Sequence, residues 1–320
     1  MKIVITDCDH ESLAPEQAAA APAGADVVWA KCRTEDEVIA AAADADGILV
    51  QYAPITAKVL DALPKIKAIG RYGVGVDTVD VTAATSRSVA VCNVPDYGTE
   101  DVSDHAIALA LTVARGTARF DRRVRAGEYD LAPVKPLHRV NTRTFGVVGL
   151  GLIGSATARK AQGLGYTVIG HDPLQAPGTV TEDGIDVVSF DELLRSADVI
   201  SLHVPLNEQT RHLINEDTLF RMKPGAVLIN TCRGGVVDTA AVAAALSTGQ
   251  LAGAGLDVFE EEPLPASSPL LVLDNAVLTP HAAWYSEESY SELKRRTMEN
   301  VLDVCAGRTP RNILNPEVLS

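Results

Sequence analysis

Short apolar runs alternate with stretches of helical periodicity along almost the whole chain. The runs at 3–6, 27–29, 47–50, 68–70 and 89–92 are rich in Val and Ile and do not alternate strictly with polar residues. A second series covers 144–148, 167–170, 199–202, 227–230, 253–256 and 276–278. Strands buried on both faces of a parallel sheet have this pattern, because neither face has to be polar. Between the runs, segments 34–43, 155–164, 190–196 and 239–248 predict helices. Strand then helix, repeated, predicts a doubly wound α/β architecture, and two series predict two such units. The alanine-rich stretch 18–25 holds Pro22 and Gly24, so a helix end and a turn are expected there. The junction is expected just before a long helix starting near Asp101 (DVSDHAIALALTVAR). That helix is apolar around most of its circumference, which predicts burial between units or between subunits. A last helix over 285–306 stops at Gly307 and Pro310.

Length agrees with two units: 320 residues make about two domains of ordinary size. Charge then removes whole classes of partner. Acidic residues number 42 against 28 basic ones, for a net charge of −14. Such a field repels nucleic acid and anionic membranes, although a few local cations suffice for a small anion. Five widely spaced cysteines without a CxxC pair predict neither a disulfide framework nor a structural zinc site, and no metal is expected. The apolar run 106–114 is too short to span a bilayer, and acidic residues interrupt the start of the chain. A soluble, cytoplasmic protein is expected.

The segment TFGVVGLGLIG at 144–154 contains Gly149, Gly151 and Gly154 in the pattern G-x-G-x-x-G. It follows a predicted strand and opens a predicted helix. The next strand ends at Asp172. Glycines there permit a tight turn and close approach of pyrophosphate, and the helix start favours an anion. Leu152 and Ile153 sit at that helix start. Asp172 can bind both ribose hydroxyls of adenosine and would repel the extra phosphate of NADP, which predicts NAD(H).

Further segments then become informative: VISLHVPLNEQTRHL at 199–213, MKPGAVLINTCRGGVVD at 222–238, GAGLDVFEEEP at 253–263, LTPHAAW at 278–284 and RYGVGVDTVD at 71–80. In this order, and along nearly the whole chain, they resemble the D-isomer-specific 2-hydroxyacid dehydrogenases. HAAWYSEE at 281–288 and VCNVP at 91–95 look like its C-terminal-binding-protein branch. The resemblance implies two Rossmann-like domains with a cleft between them. An NAD-binding domain over 99–284 would be inserted into a flavodoxin-like substrate domain made of 1–98 and 285–320. It also implies a homodimer built mainly on the cofactor domains.

Reduction of a ketone by hydride needs a proton donor at the developing alkoxide, and a 2-oxo acid needs a cation for its carboxylate. Arg233, Glu262 and His281 stand where the family places its catalytic trio. Arg233 follows the run VLIN, and its planar fork can grip a carboxylate. Its flanking glycines are expected to let a ligand approach. His281 follows the run AVL, and an imidazole exchanges protons near neutral pH. Glu262 beside it would favour the imidazolium form; it is chosen over Glu260 and Glu261 by the family's Glu-Pro pairing. By the same resemblance Asp257 would orient the nicotinamide carboxamide, while Val204, Pro205 and Cys232 would line the nicotinamide side. His203 is read as structural, or at most as lining that pocket. Arg71, with the backbone of Val74 and Gly75, would add carboxylate contacts from the substrate domain. Trp284 would narrow the substrate pocket, or else be a buried dimer-contact aromatic.

The expected activity is therefore an NAD-dependent D-2-hydroxyacid dehydrogenase, or 2-oxo acid reductase, acting on a small 2-oxo or 2-hydroxy acid. Two alternatives stay open. One is an NAD(H)-sensing, corepressor-like binding protein. The other is a related dehydrogenase with another acceptor, of the short phosphoglycerate or the phosphite type.

Overall fold

Every predicted apolar run forms a strand in the computed structural model, which describes residues 1–9 and 12–319. The first series gives β1 (Lys2–Ile5), β2 (Asp26–Trp29), β3 (Gly47–Val50), β4 (Ala68–Arg71) and β5 (Ala90–Cys92). The second gives β6 (Thr144–Val148), β7 (Thr167–His171), β8 (Asp186–Val187), β9 (Val199–Leu202), β10 (Ala226–Asn230), β11 (Leu251–Leu256) and β12 (Ala276–Leu278). Only β8, two residues with no apolar run of its own, was not expected. Two units emerge, Met1–Gly98 with Ser286–Ser320, and Thr99–Tyr285.

In the first unit the strand order is β2-β1-β3-β4-β5, all parallel. This is the flavodoxin-like order. Its central strands are buried on both faces, with Ile3, Ile48, Leu49 and Ile69 at 0% exposure. The helix Glu287–Cys305 returns to cover β3 and β4. Gly47 and Gly70 make its seat: a Cβ on either would lie 2.5 or 2.7 Å from a methyl of Val301. That helix opens on a capping box at Ser286, whose hydroxyl accepts the Ser289 N–H at 3.0 Å.

In the second unit the order is β12-β11-β10-β9-β6-β7-β8, again all parallel. The chain winds outward one way from β6 through β7 to β8, then the other way from β9 to β12. The order reverses between β6 and β9, the place where open α/β sheets take ligands. The long helix is Thr99–Arg115. It is amphipathic, and its buried face of Val102, Ser103, Ala106, Leu109 and Ala110 packs on elements of its own unit. Those elements are the helix Leu152–Gly163 and strands β10 and β11. No helix among the described residues is long and apolar enough to cross a membrane.

Candidate active site

The turn after β6 leads into the helix Leu152–Gly163, whose N-cap is Gly151. Gly149 adopts φ +93°, and a Cβ on it would lie 2.5 Å from the carbonyl oxygen of His203. A Cβ on Gly154 would lie 1.8 Å from the Gly149 oxygen. The protein's own backbone therefore requires these two glycines. Gly151 differs, because a Cβ there would meet no protein atom within 4 Å. Packing within the chain does not explain Gly151, and the space beside its backbone is open. The helix start has no side-chain cap, which leaves its dipole end for an anion. Ile153 is half-buried and Leu152 is exposed beside this open space.

Asp172 stands one residue past β7. Its Oδ2 accepts the Leu150 N–H at 2.9 Å and its Oδ1 accepts the Leu174 N–H at 2.9 Å. The carboxylate is thus tied to the glycine turn and keeps lone pairs for further donors. Beyond β9, Val204 is 9% exposed and Pro205 is exposed. His203 Nε2 lies 2.8 Å from the Ser201 hydroxyl, and burial pushes the imidazole down to about 3. It stays neutral across the physiological range. An open turn, an uncapped helix and a tethered carboxylate fit a dinucleotide.

At the end of β10 the fully buried Asn230 shapes the next turn. Its Oδ1 accepts the Cys232 N–H at 3.1 Å, and its Nδ2 donates to the Arg233 carbonyl at 3.0 Å. The Cys232 thiol also points at that Oδ1, 3.0 Å away, and burial raises it to about 11, so it is no thiolate. The Arg233 guanidinium donates to the Cys232 carbonyl at 2.7 Å. The expectation about the glycines after it is corrected at Gly234. A Cβ there would lie 1.8 Å from the Phe259 carbonyl carbon and 2.4 Å from the Glu260 nitrogen. The space belongs to the protein's own chain, which crosses at this point and carries the glutamate loop to Arg233.

The three glutamates of that loop are not equivalent. Glu260 is taken up by His212, 2.6 Å away, and by the Thr239 N–H at 2.9 Å. Glu262 Oε1 accepts the Phe259 N–H at 2.9 Å, and its Oε2 lies 2.8 Å from His281 Nδ1. Burial alone would raise the Glu262 carboxyl. Hydrogen bonds from His281 and Phe259, with the charges of His281 and Arg233, nevertheless hold it below the usual carboxylate range. The structure therefore brings Arg233, Glu262 and His281 together.

Among the described residues, His281 is one of three non-glycine residues with positive φ, at +54°. Such backbone costs about 1–3 kcal/mol and persists only when its surroundings dictate it. Here Asp257 dictates it. The His281 N–H donates to the Asp257 carbonyl at 2.7 Å. Asp257 Oδ1 accepts the Thr279 hydroxyl at 2.6 Å and the Ala282 N–H at 2.9 Å, and Oδ2 accepts the Ala283 N–H at 2.9 Å. His105 Nε2 completes the network 3.0 Å from Thr279 Oγ1. Asp257, expected at the nicotinamide carboxamide, is 0% exposed with both oxygens engaged inside the protein. Neither His105 nor Thr279 stood out in sequence: one lies within the long helix Thr99–Arg115, the other is an ordinary residue beside Pro280. Trp284 is half-buried, edge-on to Tyr285 at 5.7 Å between ring centroids.

In the first unit, Arg71 ends β4 and is half-buried, Val74 is 40% exposed, and Gly75 is half-buried. Among the described residues no cluster of three or more His, Cys, Asp or Glu could hold a metal. A cavity of about 350 Å³ lies elsewhere, beside Arg143, Tyr166, Asp198 and Gly225 at the amino ends of the strands. None of the candidate site residues described above lines it.

A family signature described as "D-isomer specific 2-hydroxyacid dehydrogenase, NAD binding domain" matches residues 107–283. The glyoxylate reductase of Korarchaeum cryptofilum is 44% identical over 269 residues, which cover 83% of this chain and 81% of that protein. The crystal structure of the TT0316 protein from Thermus thermophilus superposes with a TM-score of 0.89 at 35% identity, covering 98% of this chain and 100% of that one. D-lactate dehydrogenase from Aquifex aeolicus, complexed with NAD and lactic acid, has a TM-score of 0.86 at 30% identity, covering 98% of this chain and 99% of that one.

Proposed function

The chain belongs to the D-isomer-specific 2-hydroxyacid dehydrogenase family, and from that premise we propose that it reduces small 2-oxo acids to D-2-hydroxy acids. It is an NAD-dependent oxidoreductase acting on CH–OH donors. The observation that carries the reading is the 2.8 Å contact of His281 Nδ1 with Glu262, with Arg233 close enough for its charge to act on the same carboxylate.

The cofactor would be held by the amides and glycines of Gly149, Gly151, Leu152, Ile153 and Gly154, with Asp172 at the adenosine ribose and Val204, Pro205 and Cys232 at the nicotinamide. NADH, when bound, supplies the hydride that goes to C2 of the substrate. The Arg233 guanidinium grips the substrate carboxylate as a planar fork. His281 holds a proton at Nε2 and gives it to the C2 oxygen. Glu262 accepts a hydrogen bond from Nδ1–H, which fixes the orientation and tautomer of the ring. Asp257 acts one step back, by setting the backbone of the His281 turn. In the first unit, Arg71 and the amides of Val74 and Gly75 supply further carboxylate contacts. Trp284 follows His281 by three residues and limits the volume available to the substrate side chain. Glyoxylate and pyruvate are therefore expected ahead of phenylpyruvate.

The test is an NADH-consumption screen over glyoxylate, hydroxypyruvate, pyruvate and phenylpyruvate, repeated with NADPH. His281→Ala and Arg233→Ala should each lower kcat/KM by about a thousandfold with NADH binding retained. Undiminished turnover in either variant refutes the assignment.

A further inference from the structure

Two opposite charges lie at full depth in the first unit. Glu16 and Lys294 are both 0% exposed, with Oε2 and Nζ 3.3 Å apart. Lys294 Nζ also donates to the Ser12 carbonyl and lies 4.8 Å from the Tyr290 ring centroid. The other glutamate oxygen, Oε1, accepts the Tyr72 hydroxyl hydrogen at 2.8 Å, and Tyr72 is 2% exposed. A buried ion pair adds little net stability over apolar residues of the same volume. Its value, where it has one, is geometric, and here the geometry leads to one loop.

Tyr72 stands between Arg71 and Gly73, at the start of the loop that ends in Val74 and Gly75. The same C-terminal helix reaches this loop a second time. Asn300 Nδ2 donates to the Asn93 carbonyl at 3.1 Å, and Asn93 Nδ2 donates to the Val74 carbonyl at 2.7 Å. The helix Glu287–Cys305 thus holds the loop at both ends: through Lys294, Glu16 and Tyr72 at its start, and through Asn300 and Asn93 at Val74.

We propose that Glu16, Lys294 and Asn300 are positioning residues for carboxylate recognition. Acting through Tyr72 and Asn93, they hold the Arg71 guanidinium and the Val74 and Gly75 amides in register for the 2-oxo acid. The inference rests on the carboxylate-binding reading of that loop given above. It explains why a chain able to bury apolar residues here buries a glutamate and a lysine instead. Fixed donors bind without first being ordered, and small misplacements of such groups are costly.

Tyr72→Phe keeps the ring and removes only the hydroxyl. We expect it to raise KM for the preferred 2-oxo acid about tenfold, with kcat within about twofold of wild type and the NADH dissociation constant unchanged. Asn300→Ala should give the same pattern. Lys294→Met alone would leave Glu16 buried without its cation, so the charge pair is tested as Glu16→Gln with Lys294→Met, which should also raise KM. A lowered melting temperature with unchanged KM in Tyr72→Phe and in the double variant overturns the inference and leaves the proposed function standing. A wild-type protein that turns over no 2-oxo acid refutes the proposed function, and this inference with it.

Discussion

The turn after β6 and the turn after β10 leave the carboxyl ends of strands in one sheet, and both carry glycines, yet the glycines make room for different things. At Gly151 the space a side chain would fill is open to solvent. At Gly234 the same space is filled by the backbone of Phe259 and Glu260. The first turn leaves that space unfilled by the protein. The second is closed by the chain, and the closure carries a carboxylate to the arginine and the histidine. Identical residue types thus leave open space in one turn and admit the protein's own packing in the other. Only the neighbours across space separate the two cases.

The largest effect that could break this comparison is expected at Gly234. Gly234→Ala forces a Cβ into backbone that cannot swing aside. It should cost about 3 kcal/mol or more of stability and displace Glu262, so that melting temperature and turnover fall together. Gly151→Ala should leave the melting temperature nearly unchanged, because its Cβ meets no protein atom. It should weaken NADH by about tenfold in a fluorescence titration, since the lost space is the ligand's. Equal losses of stability in the two variants would dissolve the distinction between the turns. The smallest expected effect concerns acid. The Glu262 carboxyl lies below its ordinary value of 4.5 in the folded chain, so its contribution is complete above that pH and is lost as pH falls through the lower folded value. With its side chain 36% exposed, the contribution should be only a fraction of about 1 kcal/mol. Glu262→Gln should therefore flatten the fall of stability slightly below pH 4.5, as read by denaturant titration at pH 6 and pH 3.5. An unaltered slope would remove the ionic account of that carboxylate.

Much of the fold was legible because parallel strands are apolar on both faces. The runs at 47–50, 144–148, 199–202 and 276–278 have the bounds of β3, β6, β9 and β12. β8 was illegible, since a two-residue edge strand leaves no pattern. The helix Leu152–Gly163 starts three residues before its expected beginning, because Gly154 reads as a turn although it lies inside the helix. In the candidate site, the glutamate that meets His281 was legible from its proline neighbour. The network of Asp257, Thr279 and His105 was not, because it arises only when β11 and the turn after β12 are folded side by side. The occupant of the space at Gly234 was misread for the same reason: it comes from a loop some distance along the chain.

The seat formed by Gly47 and Gly70 bears on how the molecule is made. All five strands of the first sheet leave the ribosome early, but the helix that fills this seat emerges only after the whole of Thr99–Tyr285. The second unit is continuous and can fold as soon as it is synthesised, whereas the first sheet waits without the helix that covers β3 and β4. The nascent chain therefore completes its later unit before its earlier one, and the unfinished sheet is the surface that a chaperone would have most reason to shield.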